Sequence, residues 1–247
     1  MPNLFEIKKQ MVEVGKLMYE KGLVIAKHGN ISYKISDNEY ICTPGGLCKA
    51  FLTPDKLVRV NAKGESLEAG KKPTSEIKMH IAIYALRPDI NCIVHAQPAA
   101  TTAFAISDLD AAKFVLPGDK KAYFGYVPAA AYDKANHDAN TLAQYMSDKA
   151  QQAYVFHGDS SLSVGDTLYN AFDAIESLEH YCKVSIYARA LNAIEGEPVC
   201  RCEQQKKAAQ TSAAPTSSAM SHSTVAGAPE AATVNEVIRR VIAELNR

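Results

Sequence analysis

Apolar positions at the start of the chain recur at helical spacing, with Met11, Val14, Leu17 and Met18 on one stripe and Gly22 standing where a glycine ends a helix. Beyond Gly22 the period changes. Short apolar runs at Leu23-Val24-Ile25, at residues 31 to 35 and at Tyr40-Ile41 are punctuated by Gly29-Asn30, Asp37-Asn38 and Pro44-Gly45-Gly46. This pattern predicts strands joined by tight turns. A helix follows whose buried face carries Ile77, Ile81 and Tyr84, with Thr74 or Ser75 as its cap. Two more apolar runs, Cys92-Ile93-Val94 and Ala153-Tyr154-Val155-Phe156, predict strands that end at His95 and His157. From Thr167 a long helix presents Leu168, Ala171, Phe172, Ile175, Leu178 and Cys182 along one stripe. Strands mixed with helices of unequal length predict an α/β layered domain.

The pattern breaks after about Glu203. Residues 206 to 232 are dominated by Ala, Ser and Thr, with Pro215 and Pro229, and carry too little apolar bulk to pack a core. Periodicity then returns: Thr233 and Glu236 form a capping-box pattern, and Val234, Val237, Ile238, Val241, Ile242 and Leu245 line one helical face. A helix this short is marginal alone and forms fully against a partner. The expected organisation is therefore a domain over residues 1 to 202, a flexible linker over 203 to 232 and an amphipathic helix over 233 to 247.

Charge adds mainly exclusions. The 27 basic and 27 acidic side chains cancel, so no large field points to nucleic acid or an anionic membrane as partner. No stretch approaches the roughly 20 apolar residues that span a bilayer. The first residues lack the basic-then-apolar layout of a secretory signal, and a cytoplasmic protein is expected. The six cysteines show no zinc-finger or redox spacing. Their apolar neighbours suggest small core residues, and the close pair Cys200 and Cys202, with no counterpart elsewhere, is read as unpaired thiols in a reducing compartment.

Candidate chemistry centres on one strand end. His95 and Gln97 are two residues apart, so both side chains point to one face of a sheet. His157 closes another strand, and Glu76 in the first turn of a helix is placed to reach the same point. Zinc favours imidazole and carboxylate donors, and a catalytic zinc keeps a position open for substrate. By themselves, two such histidines are more often structural than ligands, and Glu76 also reads as a carboxylate beside a helix N-terminus.

The order of motifs separates these readings. Pro73-Thr74-Ser75-Glu76 is followed by His80, Tyr84 and Arg87-Pro88-Asp89, then by His95-Ala96-Gln97-Pro98 at a strand end, and later by His157-Gly158. Together they resemble the class II aldolase/adducin family, over about residues 7 to 195. The resemblance implies a three-layer α/β/α domain with a central mixed, mainly antiparallel sheet, assembled as a homotetramer. It implies Zn2+ or another divalent metal at His95, Gln97 and His157, and an acid/base role for Glu76. It further implies a phosphate site at Gly29, Asn30, Gly45, Gly46, Thr74 and Ser75, and a tyrosine, Tyr132, that exchanges a proton with the departing alkoxide.

The departures from the family pattern carry information too. Gln97 stands where the family has histidine, and an amide oxygen is the weaker zinc donor. Lys27-His28 replaces small residues before Gly29-Asn30, Gly45 replaces a hydroxyl-bearing residue, and His28 and His137 are candidate replacement ligands. The linker and terminal helix resemble an encapsulation peptide, which implies a bacterial microcompartment shell protein as partner of residues 233 to 247 and the compartment lumen as location. The function so implied is retro-aldol cleavage of L-fuculose or L-rhamnulose 1-phosphate to dihydroxyacetone phosphate and lactaldehyde. The alternatives are an epimerase or dehydratase on the same fold, and an adducin-like scaffold that has lost its metal.

Overall fold

A strand buried on both faces belongs in the middle of a sheet, and Cys92–Ala96 has no exposed residue. This is β4 of a computed structural model that describes residues 3–107, 124–128 and 139–195. Tyr132, His137, Cys200, Cys202 and residues 203–247 lie outside the described residues. The chain divides after Lys183 into two units, and the sheet and its cores belong to the first.

The elements run α1 (Leu4–Glu20), β1 (Asn30–Ser36), β2 (Glu39–Cys42), β3 (Val58–Asn61), α2 (Ile77–Leu86), β4, α3 (Ala99–Ile106), β5 (Phe124–Val127), α4 (Ala139–Met146), β6 (Ala153–Phe156), β7 (Ser160–Gly165) and α5 (Leu168–Glu195). The seven strands lie in the order β3-β2-β1-β4-β7-β6-β5. Among the described strands only β5 and β6 pair in parallel, so the sheet is mixed and mainly antiparallel, as expected.

The pleat sorts side chains into two layers. Cys92, Val94 and Ala96 of β4 join Ile31 and Tyr33 of β1 in a core with α1 and the start of α5. Ile93 points the other way, into a core with Val58, Val60, Leu162 and Val164 under α2 and α4. A third cluster joins Phe104 of α3 to Val155 and Leu178.

Two local expectations differ from the structure. Leu23-Val24-Ile25 is no strand: the Leu23 and Val24 amides both donate to the Met18 carbonyl, so the segment closes α1 behind Gly22, whose φ is +69°. Nor does Thr74 or Ser75 cap α2. Glu76 is the N-cap residue and its side chain makes no capping bond, because its carboxylate is drawn toward the sheet instead. The four described cysteines are unpaired; Cys42, Cys92 and Cys182 are buried, as expected of core residues, and burial pushes the thiols of Cys42 and Cys182 up to about 12.

Buried polar residues tie the layers together. Arg87, at the end of α2, is 1% exposed. Its guanidinium bonds the Asp89 carboxylate, the Tyr154 hydroxyl and the carbonyls of Met146, Asp148 and Gln151. Buried Glu179 of α5 accepts from the Ala100 and Thr101 amides and the Thr101 hydroxyl, at the start of α3. A carboxylate there completes the free N–H groups of a helix N-terminus.

Arg87→Met is expected to lower the unfolding free energy by about 3 kcal/mol, because it orphans several buried acceptors; urea unfolding measures this. The hydrogen bond to Arg87 also holds the Asp89 carboxyl below the usual carboxylate range. The folded state therefore binds that proton less readily than the unfolded one. The stabilisation is present above the ordinary Asp value and is lost as pH falls through the lower folded value. Asp89→Asn is expected to flatten that acid limb in unfolding measured from pH 5 downward.

Candidate active site

Sheet register brings the site together. Asn30 pairs across β1 and β4 with His95, and β7 lies on the other side of β4. Asn30 and Ser32 of β1, His95 of β4 and Ser160 of β7 share the face that α2 covers, because each falls on the same phase of the pleat. Helix α2 begins over this face and lowers Glu76 onto it.

His95 is wholly buried, and both ring nitrogens are engaged. Nδ1 is in close contact with Glu76 Oε2. The Asn30 amide donates to the same oxygen at 2.8 Å and lies 3.3 Å from Nδ1. On the far side of the ring, Nε2 is 2.7 Å from Ser160 Oγ, which in turn donates to Asp159 Oδ2 at 2.8 Å. A continuous polar chain thus runs from Asn30 through Glu76, His95 and Ser160 to Asp159.

Burial pushes the Glu76 carboxyl up, but the His95 ring, the Asn30 amide and the charge of His80 together outweigh it and bring the group down to about 2. Beneath it, His80 Nδ1 and Tyr84 Oη each lie 2.8 Å from Ser32 Oγ, which ties α2 to β1 next to the site. His80 and Tyr84 are therefore the parts of the sequence motif that seat the helix carrying Glu76.

Glu76 opens into a cavity of about 500 Å³ lined also by Lys27, His28, Gly29, Asn30, Pro44, Gly45, Gly46, Thr74, Ser75, Gln97 and Asp159. All six residues expected to hold phosphate are in this lining. The two loops approach because Thr74 N–H donates to the Thr43 carbonyl and Gly45 N–H to the Lys72 carbonyl. Asn30 lines the cavity while its amide nitrogen is directed to Glu76 and His95. Asp159 and Ser160 were missed in the sequence reading; the available signal was two polar residues directly after His157-Gly158, where β7 begins.

His157 lies past the end of β6, with its amide donating to the Val127 carbonyl at 2.8 Å and its ring tilted against Tyr126. His157 Nδ1 and Gln97 Oε1 are both buried and have no hydrogen-bond partner among the described residues. Orphaned buried polar atoms at positions where the sequence resemblance implies a metal are of the kind that a cation can complete. Among the described residues no three His, Cys, Asp or Glu side chains are gathered to hold a metal by themselves.

Gly29 shows how tightly the site is built. Its φ is +72°, and an added Cβ would lie 2.4 Å from Val24 Cγ1 and 2.9 Å from the His95 carbonyl oxygen. Gly29→Ala is expected to cost about 3 kcal/mol of stability, through strain at positive φ and overpacking against β4. Chemical unfolding measures the loss.

A comparison with known proteins agrees with this geometry. The model of the class II aldolase and adducin N-terminal domain matches residues 9–186. The chain is 27% identical over 183 residues to 3-oxo-tetronate 4-phosphate decarboxylase of Escherichia coli K12, covering 72% of this chain and 85% of that protein. It is also 27% identical over 181 residues to L-fuculose phosphate aldolase of Methanococcus vannielii, covering 72% and 94%. The crystal structure of YgbL from Escherichia coli superposes with a TM-score of 0.62 at 26% identity, over 72% of this chain and 87% of that one. Relatives with these names are lyases, and with the fold and the ordered motifs in agreement, the chain belongs to the class II aldolase and adducin N-terminal domain family.

Proposed function

We propose that this chain is a divalent-metal-dependent carbon–carbon lyase that cleaves a ketose 1-phosphate, such as L-fuculose or L-rhamnulose 1-phosphate, to dihydroxyacetone phosphate and lactaldehyde. The observation that carries this reading is the Glu76–His95 pair at the base of a cavity rimmed by Gly29-Asn30, Gly45-Gly46 and Thr74-Ser75. His95, His157 and the Gln97 amide oxygen would hold the cation, which, when bound, supplies Lewis-acid polarisation of a carbonyl and offsets developing negative charge. A neutral amide oxygen shifts preference toward oxygen-loving ions such as Mn2+ or Mg2+.

The side chains around that position divide the remaining work. Glu76, an ionised carboxylate held in place by the Asn30 amide, receives and returns the proton at the substrate carbon next to the carbonyl. Backbone N–H groups of the glycine turns and the Thr74 and Ser75 hydroxyls suit a phosphate, and Lys27 on the same rim adds the compensating charge. Tyr132 is assigned the alkoxide proton, from a neighbouring subunit of a homotetramer. The tail, residues 203–247, serves on this reading to attach the enzyme to a microcompartment shell.

Decarboxylation of a 3-oxo sugar-acid phosphate is a second reading, favoured by the likeness to the Escherichia coli decarboxylase. It breaks a carbon–carbon bond beside a carbonyl and needs the same carboxylate and the same cation, so products alone separate the two.

Purified full-length protein is to be assayed with both ketose 1-phosphates and with 3-oxo-tetronate 4-phosphate, with added Zn2+ or Mn2+ and after chelation. Metal-dependent release of dihydroxyacetone phosphate is expected, and Glu76→Gln is expected to lower kcat by about 10²–10⁴-fold. Carbon dioxide release in its place moves the assignment to the decarboxylase. No turnover on any substrate from folded protein rejects both in favour of a non-catalytic, adducin-like scaffold. Deletion of residues 233–247 is expected to abolish co-sedimentation with shells and leave turnover unchanged; unchanged co-sedimentation refutes the targeting role.

A further inference from the structure

The Ser160 hydroxyl has one hydrogen to give. It gives it to Asp159 Oδ2 at 2.8 Å, so toward His95 it can only accept. Nε2 of His95, 2.7 Å from that oxygen, is then the nitrogen that bears hydrogen. On the opposite edge of the ring, Nδ1 is in contact with Glu76 Oε2 and lies 3.3 Å from the Asn30 NH2 group. Reversing that amide would set its oxygen against the Glu76 carboxylate, so the network itself fixes its orientation.

We propose that Asp159 and Ser160 are positioning residues that hold the His95 hydrogen on Nε2 and thereby present Nδ1, beside Glu76, as the nitrogen that ligates a divalent cation. The physical logic is that of an outer-shell partner, which selects one ring nitrogen by engaging the other. Nδ1 and the Glu76 carboxylate are in contact, and imidazole nitrogen and carboxylate oxygen are both donors that a divalent cation takes. Asp159 also lines the same cavity as Gln97, so its charge adds to the site's preference for a cation where an imidazole is missing.

This inference rests on the metal reading of the site, and its test is built to fail separately from it. Nitrogen-15 NMR of the metal-free, full-length chain, with His95 assigned from a His95→Gln sample, reads which ring nitrogens carry hydrogen. Hydrogen on Nε2 is expected in the natural protein and in Ser160→Thr, which keeps the hydroxyl. In Ser160→Ala the Nε2 hydrogen loses its acceptor, and the ring is expected to carry hydrogen on Nδ1 alone, donated to Glu76. Calorimetric titration with Zn2+ alone is expected to show affinity about 10–100-fold weaker in Ser160→Ala and near-natural affinity in Ser160→Thr.

Asp159→Asn leaves the buried serine in place and guards against a misfolded Ser160 variant. Its amide is able to donate to Ser160 Oγ and turn the serine hydrogen toward Nε2, so it should shift both readouts in the same direction. A bare Nε2 in the natural protein overturns the proposal, as do unchanged hydrogen placement and zinc affinity in Ser160→Ala and Asp159→Asn. If the natural protein binds no zinc, the metal reading and the ligand role of Nδ1 fall together. The NMR result then still decides whether Asp159 and Ser160 set the ring.

Discussion

A histidine with no access to water must satisfy two ring nitrogens from within the protein, and at His95 those partners come from three separate elements. Glu76 arrives from the start of α2, Asn30 from β1 and Ser160 from β7. Each contact requires its element at one register: a one-residue slip of β1 against β4 would turn Asn30 to the α1 side and Ile31 toward the cavity. The stability of the sheet and the integrity of the site are therefore one requirement. This explains why the polar floor of the cavity is surrounded by residues as tightly packed as Gly29.

Polar residues away from the cavity extend the same device. His80, Ser32 and Tyr84 fasten α2 to β1 under Glu76, while Arg87 fastens the other end of α2 to the segment leading into β6. Glu179 does so for α3, which follows directly on Gln97 and Pro98. Helices that carry or adjoin site residues are thus anchored at their ends by buried charge-assisted bonds, which resist displacement better than an apolar contact that slides freely. Apolar packing then fills the layers between them.

Gln97 gives the chemistry of the site its individual character. An amide cannot match an imidazole as a zinc donor, yet Gln97 Oε1 is buried and unpartnered in the manner of a group awaiting one. Asp159 adds an anionic oxygen to the same cavity. On the proposed metal reading, the balance of donors moves from nitrogen toward oxygen, while Glu76 and His95 remain in contact. Relatives at 27% identity carry both names, and aldol cleavage and decarboxylation both break a carbon–carbon bond beside a carbonyl.

Periodicity located α1, β1, β2, α2, β4, β6 and α5, because helix and strand repeats are local, but it did not mark β3, α3, β5, α4 or β7. It erred at Leu23-Val24-Ile25, where an apolar run serves the end of α1, and at the cap of α2, where Glu76 is drawn down to the sheet. Motif order was enough to indicate the family, and the spacing of His95 and Gln97 put both on one face. The connection of His95 to Ser160 and Asp159 had no local signal, since these residues are about 65 positions apart and meet only because β7 pairs beside β4. By itself, then, the sequence determined the helices and strands with strong local repeats, the pleat phase and the residue types available for chemistry. Tertiary structure decided which strands are neighbours, and through them which partner each nitrogen of His95 meets, because hydrogen-bond partners across a sheet follow from strand order and register.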